Sequence, residues 1–212
     1  GELLEQPNLG SVSCEAGLNG VVGKGLIDAR VDGSVSQLEF NGYDYDSLRF
    51  GGRLTEKTFN GHVRADDPAL RFDFQGEVGF NPERPHYDFD LDLIHADLAR
   101  MHLNRRDSVS VLSALVEARA SGRTLDDLNG KVTVGDVVYR YNADTLRTTR
   151  LTLDGQNSAG SKYLSLQSEF ADATFRSRTD YKTVFEYLRS SLEKYIPLLY
   201  DEQKARKRAA GA

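Results

Sequence analysis

Glycine and lysine near the start of the chain are the first residues whose types suggest chemistry. Four glycines lie close together around Lys24, and glycine-rich loops of this kind bind phosphate through their backbone N–H groups; they are Gly17, Gly20, Gly23 and Gly25. A phosphate loop of the P-loop type would also need glycine where Leu18 stands, and Ser or Thr where Gly25 stands. The sequence therefore excludes this nucleotide site.

Three alternating carboxylates, Asp88, Asp90 and Asp92, resemble the opening of an EF-hand calcium loop. That loop needs glycine at its sixth position and Glu at its twelfth, where this chain has Leu93 and Ala99. We therefore predict that these aspartates form the solvent face of a strand.

Other catalytic patterns are missing as well. No serine lies in a nucleophile elbow, and the four histidines lack metal-ligand spacing; they are His62, His86, His95 and His102. We expect His95 and His102 to be turn or surface residues. The sequence predicts no catalytic residues, no metal site and no cofactor, and hence a protein that is not an enzyme.

Composition narrows the class of protein further. The chain has 212 residues, a formal net charge of −5 and a pI near 5.4, which argues against nucleic-acid binding. Only 39% of residues are hydrophobic and none is Trp, which indicates a sheet protein with a thin core. No apolar run approaches the ~20 residues that span a bilayer. Cys14 is the single cysteine and leaves the cellular compartment open.

Apolar residues and glycines alternate with polar residues along much of the chain. Because side chains alternate across a strand, each run predicts a strand with one apolar face. The clearest runs are Leu48, Phe50, Gly52, Leu54; then Phe59, Gly61, Val63, Ala65; then Leu70, Phe72, Phe74, Gly76, Val78, Phe80. Glycine inside a strand marks a bend or a close backbone approach, so we predict a sheet curled around its apolar face. The alternative is that the glycines form hairpin turns, which we expect at Asn41-Gly42 but not at Asn60-Gly61.

Short turns between these runs predict an antiparallel meander. We divide the chain into a sheet over residues 1–178, an amphipathic helix over 179–200 and a basic tail over 201–212 that is disordered or links to a further segment. Within the sheet we expect short, irregular strands over 1–37, a turn at 41–46 and a loop at 154–161. We also expect one helical turn at 96–103, with Leu98 and Met101 facing inward.

The predicted helix begins near Asp180 as its N-cap and is kinked or ended by Pro197. Its apolar residues recur every three or four positions, and they are Val184, Leu188, Leu192, Tyr195 and Leu199. We expect this helix to plug or cap the apolar face.

Several motifs, taken in order, resemble the TamB family of translocation and assembly module proteins in its Bacteroidetes form. The segments that carry the resemblance are Leu38 to Tyr45, Leu48 to Gly52, Phe59 to Gly61, Asp66 to Pro68, Ser121 to Val132 and Leu166 to Ala173. The stretch Ser121 to Val132 also resembles a pattern of the wider AsmA-like group. The similarity covers about residue 10 to residue 200.

The resemblance implies a fragment of a much longer periplasmic protein anchored in the inner membrane. Its implied fold is all-β: a long antiparallel sheet curled into a taco-like trough with an apolar interior, followed here by the C-terminal amphipathic helix. The implied role is conduction of phospholipid toward the outer membrane, supporting outer-membrane biogenesis. The implied partners are phospholipid acyl chains and an outer-membrane barrel protein, with membrane contact through parts of the full-length protein.

Ten residues are predicted to line this groove: Phe50, Leu54, Val63, Phe72, Phe74, Val78, Phe89, Leu91, Val132 and Val134. Three alternatives remain open at this point. The same residues could form an ordinary closed core. The sheet edges could instead accept client strands, as a chaperone or scaffold for outer-membrane protein assembly. An outer-membrane barrel fragment is disfavoured, because its outward face would need aromatic girdles and a longer lipid-facing band.

Overall fold

The chain folds as one antiparallel sheet of twelve strands in a computed structural model that describes residues 9–23, 26–158 and 160–181. The sheet confirms the predicted all-β class and the predicted antiparallel pairing. Most of the predicted helix and the whole basic tail lie in residues 182–212, outside the described residues.

Most strands follow one another along the sheet in chain order. Their bounds are β1 Leu9–Gly23, β2 Leu26–Phe40, β3 Tyr43–Tyr45, β4 Leu48–Thr55, β5 Thr58–Asp66, β6 Leu70–Gly79, β7 His86–Asp97, β8 Ser110–Ser121, β9 Asn129–Tyr141, β10 Asp144–Ser158, β11 Ser161–Ser168 and β12 Asp172–Ser177. The short strand β3 pairs with the end of β2, beyond the stretch of β2 that pairs with β4. The described sheet is open, with β1 and β12 as its edges.

Glycine dipeptides behave in two ways. Asn41 and Gly42 have φ angles of 54° and 74° and form the two-residue turn between β2 and β3, as predicted. Asn60 and Gly61 instead lie within β5, where Gly61 pairs with Gly52 and Gly76, which also agrees with the prediction.

Three boundaries predicted from composition are wrong. Within the first 37 residues, the described parts 9–23 and 26–37 lie in two long strands instead of short ones, because β1 and β2 each run for 15 residues. The predicted loop at 154–161 is largely strand, because β10 continues to Ser158. Gly155 keeps the apolar parity there and pairs with both Gly130 and Leu164. The predicted turn at 41–46 contains β3.

Three of the register shifts in the described strands keep apolar side chains on one face. An extra residue at Ser36 in β2, at Ile94 in β7 and at Asp136 in β9 shifts the register by one position. A shift of one residue moves every later side chain to the opposite face. Consequently Leu38 and Ala96 stay on the same face as the apolar residues before the bulge, despite their changed parity.

Candidate functional site

Four rows of apolar residues and glycines cross the sheet on one face, which we call the apolar face. Each row joins residues paired directly across neighbouring strands. The two central rows, two residues apart along every strand, are Ala16, Gly33, Phe50, Val63, Phe74, Leu91, Val116, Val134, Leu151 and Leu18, Val31, Gly52, Gly61, Gly76, Phe89, Ala118, Val132, Leu153, Leu166, Ala173. We call them the phenylalanine row and the glycine row.

The two outer rows flank these on either side. They are Cys14, Val35, Leu48, Ala65, Phe72, Leu93, Ala114 and Gly20, Ala29, Leu54, Phe59, Val78, Tyr87, Ala120, Gly130, Gly155, Leu164, Phe175. All ten residues predicted as a groove lining therefore lie together on the apolar face.

Exposure on the apolar face depends on side-chain size. Away from the edge strands β1 and β12 the alanines of this face are buried, among them Ala29 at 2%, Ala65 at 3% and Ala118 at 3% exposure. All ten predicted lining residues are half-buried, including Phe74 and Leu91 at the centre of the phenylalanine row. Their side chains shield the alanines while keeping accessible surface of their own.

Three consecutive members of the glycine row, Gly52, Gly61 and Gly76, have no side chains and so leave a gap in the apolar face at these positions. A Cβ on Gly52 would lie 2.7 Å from the Cα of Gly61, closer than real Cβ atoms approach other atoms. Gly76 has a φ of 143°, and a Cβ there would lie 2.6 Å from the Cβ of Phe89. Only glycine fits these positions without a backbone shift. The rings of Phe74 and Phe89, 5.1 Å apart, stand beside the gap.

One end of the apolar face is covered by a cluster around Met101, which we call the Met101 cluster. Its buried members are Tyr45, Ala69, Ala96 and Met101. The predicted helical turn is present as a single hydrogen-bonded turn, with the Met101 N–H donating to the Asp97 carbonyl at 2.9 Å. Met101 is 2% exposed, so it faces inward as predicted.

A buried carboxylate joins the segments beside the Met101 cluster through hydrogen bonds. Asp67 is 1% exposed and accepts hydrogen bonds from the Tyr43 hydroxyl at 2.8 Å, the Ala69 N–H at 2.7 Å and the Asp46 N–H at 3.1 Å. Burial, together with the hydrogen bond to Asp67, raises the pKa of Tyr43 to about 12. The hydroxyl therefore stays protonated and keeps its bond to the carboxylate well above neutral pH.

Two contacts join parts of the sheet that are not neighbours. The Asn41 side-chain amide donates to the His102 carbonyl at 2.9 Å, and His102 Nδ1 lies 3.1 Å from the Asn41 carbonyl oxygen. Asn41 belongs to the turn after β2, whereas His102 follows β7. Three strands, β4, β5 and β6, lie between β2 and β7 in the sheet.

The opposite strand ends, over β8 to β12, carry a second cluster, which we call the Tyr181 cluster. Its buried members are Ala120, Leu128, Leu164 and Tyr181. Asp126 accepts the Tyr181 backbone N–H at 2.6 Å and the Lys162 ammonium at 3.0 Å. Burial alone would raise the pKa of Asp126, but these two donors outweigh it and hold the pKa below its usual range.

The other face of the sheet is polar and charged. Arg119 binds Asp88 at 2.8 Å and Asp90 at 2.9 Å, so two of the three alternating aspartates are paired with an arginine. Glu77 accepts hydrogen bonds from Asn60 at 2.9 Å and from His86 at 2.6 Å, and both lower its pKa. Over residues 9–23, 26–158 and 160–181 no group of three or more His, Cys, Asp or Glu side chains could hold a metal ion.

Sequence reasoning identified the apolar face and the inward position of Met101 at one end, but missed Leu128 and Tyr181 at the other. Leu128 and Tyr181 are buried by contacts between segments far apart in the chain, and no local periodicity indicates such contacts. The signal that could have located Tyr181 is its spacing, three residues before Val184 in the predicted helical stripe.

No described helix has the length and apolar character that crossing a bilayer requires. Comparisons with protein-family models, with curated proteins and with solved structures find no match for this chain.

Proposed function

We propose that this chain is a periplasmic segment of a lipid-conducting groove, in which phospholipid acyl chains lie on the apolar face on their way between the inner and outer membranes. The observation that supports this most is the set of four cross-strand rows, in which every member from β1 to β10 is an apolar residue, glycine or Cys14 and only Ser168, paired with Leu151, is polar, with half-buried phenylalanines at their centre. A closed core would bury such large side chains as deeply as the alanines beside them.

A curled sheet is favoured by the contacts between Asn41 and His102. Strands in a sheet are spaced by about 4.8 Å, so four steps from β2 to β7 would span about 19 Å in a flat sheet. The two-residue turn after β2 and the twelve-residue connection 98–109 after β7 meet across that interval through hydrogen bonds. Curvature toward the apolar face would bring these ends together and would also account for the close approach of Gly52 to Gly61 on that face.

The energetic benefit of such a groove is large. Exposing an acyl chain to water costs about 0.8 kcal/mol per methylene, or about 12 kcal/mol for a chain of roughly 15 methylenes. Rows of similar apolar contacts lower this cost at every position along the face, so a lipid can slide without a deep binding site. The gap at Gly52, Gly61 and Gly76 leaves width for the chain beside Phe74 and Phe89. Polar headgroups would remain at the open side, in water.

The test is photo-crosslinking from adjacent positions on opposite faces of β6. A benzophenone amino acid replaces Phe74 in one variant and Gln75 in the other, and each is expressed in cells and irradiated before purification. Phe74 lies on the apolar face and Gln75 on the polar face. We expect phospholipid to be attached at position 74 and not at position 75. Equal labelling, or none at position 74, would contradict the proposal.

Charge substitutions provide a second measurement. Phe72→Glu and Phe74→Glu place carboxylates on the apolar face, whereas Gln75→Glu adds the same charge on the polar face of the same strand. Phospholipid that co-purifies with the chain should fall in the first two variants and stay constant in the third. Circular dichroism of each variant verifies that the sheet is retained.

A second candidate function, assistance of outer-membrane protein assembly beside a barrel partner, is favoured by the edge strand β1. Its apolar side chains are unusually accessible, with Val12 at 44%, Leu18 at 65% and Val21 at 59% exposure. A client strand could pair with such an edge by β-augmentation. Capture of unfolded barrel strands that a proline in β1 abolishes, and that Phe74→Glu leaves unchanged, would support this function over lipid conduction.

A further inference from the structure

The connection between β7 and β8, residues 98–109, differs in charge from the chain as a whole. It carries three arginines, Arg100, Arg105 and Arg106, and one carboxylate, Asp107. Its formal charge is therefore +2, in a chain whose formal charge is −5. We call residues 98–109 the arginine loop. The loop includes Met101, so it lies at the strand ends where the Met101 cluster covers the apolar face.

Hydrogen bonds and one buried side chain hold the arginine loop in place. The Leu103 and Asn104 N–H groups both donate to the Leu98 carbonyl at 2.9 Å. The Asn104 side-chain amide donates to the Asp107 carboxylate at 2.9 Å. Met101, in the middle of the loop, is buried. These contacts fix the positions from which the remaining side chains of the loop project.

The side chains that the loop presents to solvent are apolar and cationic. Leu103 is 56% exposed and Val109 is 42% exposed. Arg105 and Arg106 are exposed as well. Among the residues that the structure describes, neither guanidinium group forms an ion pair or a hydrogen bond. Two cations without a protein partner therefore lie close in sequence to an exposed leucine.

Arg105 and Arg106 line an open cleft of about 630 Å³. Asp107 lines the same cleft, but its carboxylate oxygens accept hydrogen bonds from side-chain amides, that of Asn104 at 2.9 Å and that of Asn142 at 2.7 Å. Arginine binds phosphate oxygens through its fork of N–H donors. The cleft can thus receive a phosphate group on the two arginines without breaking an ion pair of the described structure.

We propose that the arginine loop binds the surface of a bilayer that contains anionic phospholipid, with Arg105 and Arg106 on lipid phosphates and Leu103 among the headgroups. Apolar side chains beside cations are the combination that binds such surfaces. A protein partner fits less well, because a standard protein interface takes about 20 to 30 residues from each side. The loop is separate from the rows of the apolar face, so this inference does not depend on the proposed function.

Vesicle sedimentation of the full chain tests the proposal. The vesicles contain either phosphatidylcholine alone or phosphatidylcholine mixed with phosphatidylglycerol. We expect binding to the anionic vesicles only, and weaker binding at high salt. Arg105→Gln combined with Arg106→Gln should weaken this binding roughly 25-fold, because each arginine near an anionic membrane contributes roughly fivefold.

A matched control removes the same charge elsewhere. Arg30 lies in β2 and Arg84 in the connection between β6 and β7, and both are exposed. Arg30→Gln combined with Arg84→Gln should change binding by less than about twofold, because salt screens charges that do not touch the membrane. Equal loss in the two double variants, or equal binding to the two kinds of vesicle, would overturn the inference. Binding to neither kind would overturn it too, and would leave an acidic protein surface as the partner of these arginines.

A fluorescent label identifies the surface that touches the membrane. In a Cys14→Ser background, Leu103→Cys carries an environment-sensitive dye in one chain and Gln75→Cys carries it in another. With anionic vesicles, the emission of the dye at position 103 should shift to shorter wavelength, and that at position 75 should stay constant. Phe74→Glu should leave vesicle binding unchanged. If Phe74→Glu abolishes binding and the arginine substitutions do not, the vesicles bind the apolar face and the inference is wrong.

Discussion

Gly51 and Gly52 are adjacent in β4, lie on opposite faces of the sheet and should respond oppositely to alanine. A Cβ on Gly52 would meet backbone, namely the Gly61 Cα at 2.7 Å. A Cβ on Gly51 would meet only the ends of two exposed side chains, the His62 Cε1 at 2.7 Å and an Asp32 carboxylate oxygen at 2.8 Å. Side chains can rotate away, whereas paired backbone can move only by distorting the sheet.

The expected magnitudes follow from this difference. Gly52→Ala should lower the free energy of unfolding by about 1 to 3 kcal/mol, the usual cost of overpacking. Gly51→Ala should be neutral or raise it by up to about 1 kcal/mol, because alanine restricts the unfolded chain. For a chain of this size, 1 kcal/mol corresponds to roughly 2 to 4 °C in Tm. The two variants should therefore differ clearly in Tm.

Urea and thermal unfolding of the full chain measure this difference. Because the chain has no Trp, far-UV circular dichroism and tyrosine fluorescence are the suitable probes. Both variants must first show the wild-type sheet spectrum. If Gly52→Ala is as well tolerated as Gly51→Ala, the close backbone approach in the glycine row is refuted, and with it one of the two supports for a curled sheet.

Two further predictions concern half-buried polar groups at the ends of the apolar face, Tyr43 and Asp126. Tyr43→Phe should cost about 1 kcal/mol near neutral pH, the net value of one hydrogen bond to Asp67. The folded-state pKa of Tyr43, about 12, lies above its unfolded value near 10, so this stabilisation is complete below about pH 10 and is lost as the pH rises toward 12. The stability gap between wild type and variant should close over that range, and a constant gap in urea unfolding would contradict the assignment. Asp126→Asn should also cost about 1 kcal/mol near neutral pH. Because the folded-state pKa of Asp126 is lowered, its contribution is present above about pH 4 and disappears as the pH falls further, so the two chains should converge in acid. If the unfolding free energies of wild type and Asp126→Asn instead move apart as the pH falls, the lowered pKa assigned to Asp126 is wrong.

The period-two alternation was enough to predict the strands β4 to β7 and their shared face. The alternation holds from β4 to β7 with almost no interruption. Placing the apolar residues of neighbouring strands opposite one another is enough to pair Gly61 with Gly52 and with Gly76. Local residue composition predicted strand boundaries less well than the period-two alternation. Gly155 and Asn157 have the residue types of a loop, yet Gly155 occupies an apolar-face position in β10 that its parity indicates.

The bulges and the end clusters could not be predicted in the same way. An extra residue at Ile94 is indicated only by the pairing of Phe72 with Leu93 and Leu70 with Ala96 across two strands. Met101 was predicted to face inward, but its partners Tyr45 and Ala69, like the partners of Leu128, come from segments that become neighbours only when the sheet is assembled. Contacts of this kind are set by tertiary geometry, which a single strand pattern does not contain.

Nearly every strand pairs only with its predecessor and successor in the chain, apart from the short branch at β3. Architectures of this type are quasi-one-dimensional, because each unit gains its stability from nearest neighbours. A gene could lengthen or shorten such a protein by duplicating or deleting one hairpin at a time. Each new pair of strands would extend all the rows together, provided that it kept the same parity. The distance that the face spans would then be an evolutionary variable independent of its local chemistry.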